Sequence, residues 1–257
     1  MKHSKYFWSV VSAVALLLVS WTSARAQSEI TLLAPGPMRT PLDKIVANFE
    51  TKTGNKVKVT YGSGLSTRES VAKGEPLDVS LVVAPFPGAL ASGNVIPGSA
   101  TTVASFLMAV AVPKGALKPD ISTPAAVKKA FLAARSIGYV DPDFGSAGEG
   151  AVETIAKLGI GNQIAAKSKV PSGGGPVQKG LASRELDIGM LYLSDLLPNK
   201  DITIVGVLPR KICTPTAIVG LVSTHASDPE RAKALLQYLA SPDAQAIFKD
   251  AGFEPHS

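Results

Sequence analysis

The feature that most constrains this chain is an alternation of short apolar runs with amphipathic segments, joined by loops of glycine, proline and serine. Ile30-Thr31-Leu32-Leu33-Ala34 reads as a buried strand stopped by Pro35-Gly36-Pro37. From Pro41 to Thr53, the residues Leu42, Ile45, Val46 and Phe49 recur at i, i+3, i+4 and i+7, a helical stripe that Gly54 terminates. Val57, Val59 and Tyr61 alternate along a strand, Gly62-Ser63-Gly64 breaks it, and Ser66 is placed to cap a helix over 67–73. Val79 to Val83 is a buried strand, and Val103 to Val112 predicts one long strand. The same order continues: a helix from Pro124 to Arg135, a strand over 137–140, and a helix over 147–158. Gly173-Gly174-Gly175 precedes a helix to Arg184, strands follow over 186–192, 202–207 and 217–222, and two helices close the chain. This alternation predicts an α/β fold with mainly parallel sheets.

Composition narrows the function. Met1 to Ala26 reads as a secretory leader: Lys2 and Lys5, an uncharged apolar run from Phe7 to Trp21, and Ala24-Arg25-Ala26 as the cleavage site. Its removal after Ala26 from a chain of 257 residues leaves 231. It takes three of the 26 Lys and Arg and none of the 20 acids, so the formal charge falls from +6 to +3. Without a basic block, that charge does not point to a nucleic-acid binder. Cys213 is the one cysteine, so no intramolecular disulfide holds the fold. After the leader only His225 and His256 remain, which makes a histidine-built metal site unexpected; no metal and no cofactor are expected. No apolar stretch after residue 26 is long enough to span a bilayer.

Three loops join the carboxyl end of a strand to the start of a helix: Pro35 to Thr40, Gly62 to Ser66, and Asp141 to Ala147. Ligands of open α/β sheets bind at such ends. A helix N-terminus offers free N–H groups and partial positive charge, which suits an anion. Arg39 is placed to make a bidentate bond to a carboxylate. Tyr192, at a strand end, carries a phenol that can donate to a ligand. Gly173-Gly174-Gly175 reads as a flexible turn, and no phosphate-binding fingerprint is present. No Ser-His-Asp set is formed, because the one internal histidine, His225, sits on a surface turn.

Pro41-Leu42-Asp43-Lys44-Ile45-Val46-Ala47-Asn48-Phe49, following its strand and small-residue loop, resembles the opening of the periplasmic molybdate-binding proteins. Gly74-Glu75-Pro76-Leu77-Asp78 is similar to their second turn. Tyr139-Val140-Asp141-Pro142, Leu191-Tyr192-Leu193-Ser194-Asp195 and Leu239-Ala240-Ser241-Pro242-Asp243 also match, in order, over nearly the whole chain after the leader. The resemblance implies a type II periplasmic binding protein fold, α/β, with two lobes and a ligand cleft between them. It places lobe 1 at 27–107 plus 212–257 and lobe 2 at 108–211. It implies a periplasmic solute-binding monomer that takes a small anion, a molybdate-like oxyanion or an organic acid, and delivers it to an ABC transporter permease in the inner membrane.

The ligand-binding residues carried over are Gly36, Pro37, Met38 and Arg39 in the first loop, Ser63 and Gly64 in the second, Val83 at a strand end, Gly145 and Ser146 in the central loop, and Tyr192. Pro37 stands where the family has a serine and lacks both hydroxyl and N–H. Gly64 stands where it has a second serine. These departures favour an organic acid met by Arg39. Exported aconitate isomerases look like molybdate-binding proteins with a Gly/Pro-rich first loop, to which Pro35-Gly36-Pro37-Met38-Arg39-Thr40 is similar. An isomerase of an unsaturated tricarboxylate is therefore the alternative, although the histidine of that family's loop is absent here, these loops offer no general base and no catalytic residue is assigned.

Overall fold

In the computed structural model, which describes residues 29–256, the first apolar run forms β1 (Ile30–Pro35). The leader expected over 1–26 lies outside the described residues. A 3-10 turn at Gly36–Met38 runs straight into α1 (Arg39–Thr53), so this helix starts two residues before Pro41. Pro41 is tolerated there because first-turn N–H groups need no helical partner. The stripe Leu42, Ile45, Val46 and Phe49 is buried, and Gly54 closes the helix at φ 72°. β2 (Val57–Gly62) leads to α2 (Gly64–Lys73), whose cap is Ser63 rather than Ser66: Ser63 Oγ accepts from the Ser66 N–H at 3.0 Å. β3 (Val79–Val83) is buried throughout and is followed by the short α3 (Pro87–Ala91).

The stretch expected as one long strand is two, β4 (Thr101–Phe106) and β5 (Met108–Pro113). They part at Leu107, whose carbonyl accepts from the Leu193 N–H at 2.8 Å instead of joining a sheet ladder. Then come α4 (Pro124–Ala133), β6 (Ile137–Tyr139), α5 (Ser146–Leu158), α6 (Gly161–Ile164), β7 (Ser168–Lys169), α7 (Gly174–Ala182), β8 (Ile188–Tyr192), α8 (Leu193–Leu196), β9 (Ile202–Val207), β10 (Thr216–Val222), α9 (Pro229–Leu239), α10 (Pro242–Asp250) and β11 (Phe253–Pro255).

These strands form two sheets, in the orders β11-β4-β10-β3-β1-β2 and β7-β6-β8-β5-β9. The chain passes from the first to the second at Leu107 and returns through residues 208–215. Both sheets are mixed, which corrects the expectation of mainly parallel pairing. β1 pairs β2 and β3 in parallel, as does β6 with β7 and β8. β10 is antiparallel to β3 and β4, and β5 to β8 and β9. The reason is the double passage between lobes. β4 carries the chain out of the first lobe and β10 brings it back alongside, so the two run in opposite directions; β5 and β9 do the same in the second lobe. Helices cover both sheets, as buried strands require.

Candidate functional site

The carboxyl ends of β1, β2, β6 and β8 open onto one cavity of about 310 Å³ between the lobes. Gly36 and Pro37 reach it from the turn after β1, Ser63 and Gly64 from the start of α2, and Gly145 and Ser146 from the start of α5. Tyr192 reaches it from the end of β8. Ser172 and Gly173-Gly174-Gly175, leading into α7, complete the ring.

The N-termini of α2, α5 and α7 therefore converge on the same space from both lobes. Gly145 and Gly173 cap α5 and α7 without any side-chain hydrogen bond, so no side chain blocks the first-turn N–H groups. Among the described residues no lysine, arginine or histidine lines the cavity, and positive potential there comes from helix ends. Phe106, Val140 and Phe144 supply an apolar wall. The lobes approach so closely that a Cβ on Gly64 would lie 3.0 Å from Ser146 Cβ of the other lobe; Val83 Cγ2 of its own lobe would be 3.2 Å away. Beside this contact, Arg68 of α2 donates from both terminal nitrogens to the two oxygens of Glu149 on α5, at 3.1 and 2.5 Å, a bidentate pair across the lobes.

Two titratable groups face the cavity. Tyr192 is 1% exposed, and its ring stacks on Phe106 at 4.2 Å between centroids. Its hydroxyl has no hydrogen-bond partner among the described residues. Burial raises its pKa, partly offset by the neighbouring hydroxyls of Ser146 and Thr216. Asp195, on α8, is the one acid among the described residues that line the cavity. Burial alone pushes its carboxyl up to about 7.

Three of the residues carried over by resemblance are elsewhere. Met38 is fully buried in the core. Val83 is fully buried behind Gly64. Arg39 is exposed: α1 begins at this residue and turns its guanidinium outward over the Tyr61 ring, 4.0 Å from the centroid. The structure does not bring Arg39 to the cavity. Sequence reasoning also missed residues that are there. Gly173-Gly174-Gly175, read as a turn, lies on the cavity, and Asp195 was passed over although it follows Tyr192 by three positions at a strand end.

A family model described as bacterial extracellular solute-binding protein matches residues 30–254. This chain belongs to that family. An aconitate isomerase from a Pseudomonas species is 32% identical over 252 residues, covering 94% of each chain. The molybdate-binding protein ModA of Azotobacter vinelandii is 26% identical over 238 residues, covering 90% of this chain and 91% of that one. The solved periplasmic molybdate-binding protein of Azotobacter vinelandii superposes with a TM-score of 0.72 at 20% identity, over 89% of this chain and 100% of that one. The fold is accordingly that of the type II periplasmic binding proteins, with two lobes each built on a mixed sheet.

Proposed function

We propose that this solute-binding protein captures a small organic polycarboxylate in the interlobe cavity. It works in the periplasm, after cleavage of the leader past Ala26, and hands its ligand to an ABC transporter permease in the inner membrane. Its lobes are taken as 27–107 plus 212–257 and 108–211. The observation that carries this reading is the convergence of three helix N-termini on a cavity with no basic side chain. Separate N-termini on different sides suit an anion with several carboxylates spread over a carbon skeleton.

Three features support an organic ligand over a bare oxyanion. The cavity has several times the volume that a tetrahedral oxyanion fills. Phe106, Val140 and Phe144 offer apolar contact that only a hydrocarbon frame uses. Pro37 gives the first loop no N–H or hydroxyl to donate at that position.

Calorimetry on residues 27–257 with molybdate, sulfate, citrate, and cis- and trans-aconitate tests the proposal. Heat from a polycarboxylate is expected; heat from molybdate alone overturns it. A second reading, isomerisation of the bound polycarboxylate, is favoured by the 32% identity to a protein named aconitate isomerase over 94% of both chains.

A further inference from the structure

We propose that Asp195 is the catalytic proton-transfer residue of the interlobe cavity, taking a proton from one carbon of a bound unsaturated polycarboxylate and returning it to another. The proposal rests on the cavity being an organic-anion site, and its chemistry goes beyond capture and release.

Position is the first argument. α8 starts immediately after β8, so Tyr192 and Asp195 are presented together at the carboxyl end of one strand to one cavity. Isolation is the second. The elements packed most closely against α8 are β5, β8, β9 and the 36–38 turn, in which Tyr192 is the one titratable group among the described residues; the turn at Gly252 also touches Leu193, Ser194 and Leu197, and Lys44 and Asp250 line the space on that far side of α8, beside Ser194 and Leu197, where the cavity is not. Of the nearby charges, Glu149 is held by Arg68. Asp195 thus faces the cavity with neither cation nor hydrogen-bond donor assigned to it.

Structural acids in this protein look different. Asp78 accepts four hydrogen bonds, from the backbone N–H and the hydroxyl of Thr31 and of Ser227. Asp187 is paired with Arg135. A carboxyl that burial pushes up to about 7 is suited to accept and return a proton near neutral pH.

The chemistry balances without cofactor or oxidant. The Asp195 carboxylate removes a proton from an sp³ carbon that lies next to a carboxylate and is allylic to the ligand's double bond. The C–H electron pair becomes the new C=C, the old π pair moves to the far carbon, and that carbon takes the proton back from the Asp195 carboxyl. The product is an isomer, and Asp195 ends ionised as it began. Negative charge that develops on the flanking carboxylate faces the first-turn N–H groups of α5 and α7, which need no reorganisation to stabilise it. The Tyr192 hydroxyl, buried beside those of Ser146 and Thr216, is placed to donate to a ligand oxygen.

The test uses residues 27–257 with cis- and trans-aconitate in D₂O, followed by proton NMR, with calorimetry on the same samples. The expected result is interconversion with deuterium appearing at carbon, and a rate that rises with pH through an inflection near 7. Asp195→Asn should lose about 100-fold or more in kcat, with KM little changed and the pH inflection gone. Asp195→Glu, which keeps the carboxyl, should recover part of the rate. Binding of aconitate without interconversion or deuterium uptake by the wild type overturns the proposal and leaves the anion site standing. Wild-type turnover in a folded Asp195→Asn does the same. Failure of either isomer to bind overturns both.

Discussion

Asp78 stands at the end of the turn Gly74-Glu75-Pro76-Leu77-Asp78 and is 5% exposed. Burial pushes its carboxyl up, but the hydrogen bonds from Thr31 and Ser227 pull harder, and its pKa ends below the ordinary value. A lowered folded pKa means stability that is present above the unfolded value of about 3.9 and is lost as pH falls. Asp78→Asn keeps the shape and removes the charge. It should destabilise the protein by about 1–3 kcal/mol at pH 7, and the gap should narrow below about pH 4, as read from urea midpoints. Asp195 shows the opposite sign. Its pKa is raised, so the ionised form burdens the fold, and stability contributed by the protonated form drains away as pH climbs from about 4 towards 7. Ligand-free Asp195→Asn should therefore melt above the wild type at pH 8, with the advantage shrinking towards pH 4. Equal melting temperatures at every pH mean that Asp195 ionises freely. A residue retained against stability in this way fits a functional role.

At the scale of elements, what the sequence revealed and what it hid follow from local punctuation. Strands β1 to β3 and helix α1 were legible because apolar spacing changes from period 2 to period 3.6 and glycines mark the ends. The break at Leu107 was illegible because Val103 to Val112 is apolar on both sides, and β4 and β5 are each buried in a separate sheet. No local residue signals that change of sheet. The three strand-to-helix loops were legible as anion-suited, but their meeting with α7 and Asp195 depends on how two lobes face each other, which no local pattern encodes. The place of Arg39 was hidden in a similar way: it is the first residue of α1 and lies exposed over the Tyr61 ring, away from the cavity.

The closeness of the N-termini of α2 and α5 is itself testable. Gly64→Ala puts a methyl against Ser146 across the lobe contact and against Val83 of its own lobe. It should weaken ligand binding about tenfold, or about 1.4 kcal/mol, with less change in melting temperature than in affinity. An unchanged calorimetric Kd means the lobes do not need this contact to hold ligand.

For the whole molecule, the question is what holds two lobes in contact when the chain crosses between them only twice. Phe106 of the first lobe stacks on Tyr192 of the second, and the ring of Phe253 lies 5.2 Å from Phe106, tilted against it. These three rings lie beside the Leu107 crossing and join the two lobes there by aromatic contact. At the second crossing, Arg210 pairs with Glu254 of β11. Arg68–Glu149, by contrast, joins α2 to α5 at the cavity, where opening would part the lobes. The Arg68 side chain is 16% exposed and that of Glu149 is 39%, so the pair is screened by water, and a contribution of about 1 kcal/mol is reasonable. That amount shifts an open–closed balance about fivefold. Arg68→Glu replaces attraction by repulsion and should raise the radius of gyration of the ligand-free protein in small-angle scattering and weaken polycarboxylate binding. Adding Glu149→Arg to that variant restores the pair with its ends exchanged, and should return both quantities towards the wild type. Each substitution alone also alters the potential at the cavity, but the exchange leaves the net charge of the pair unchanged. Recovery in the double variant therefore reports the bridge itself. If the double variant stays as open as Arg68→Glu, the pair does not latch the lobes, and the Phe106–Tyr192 stack with the Gly64–Ser146 contact must hold them unaided.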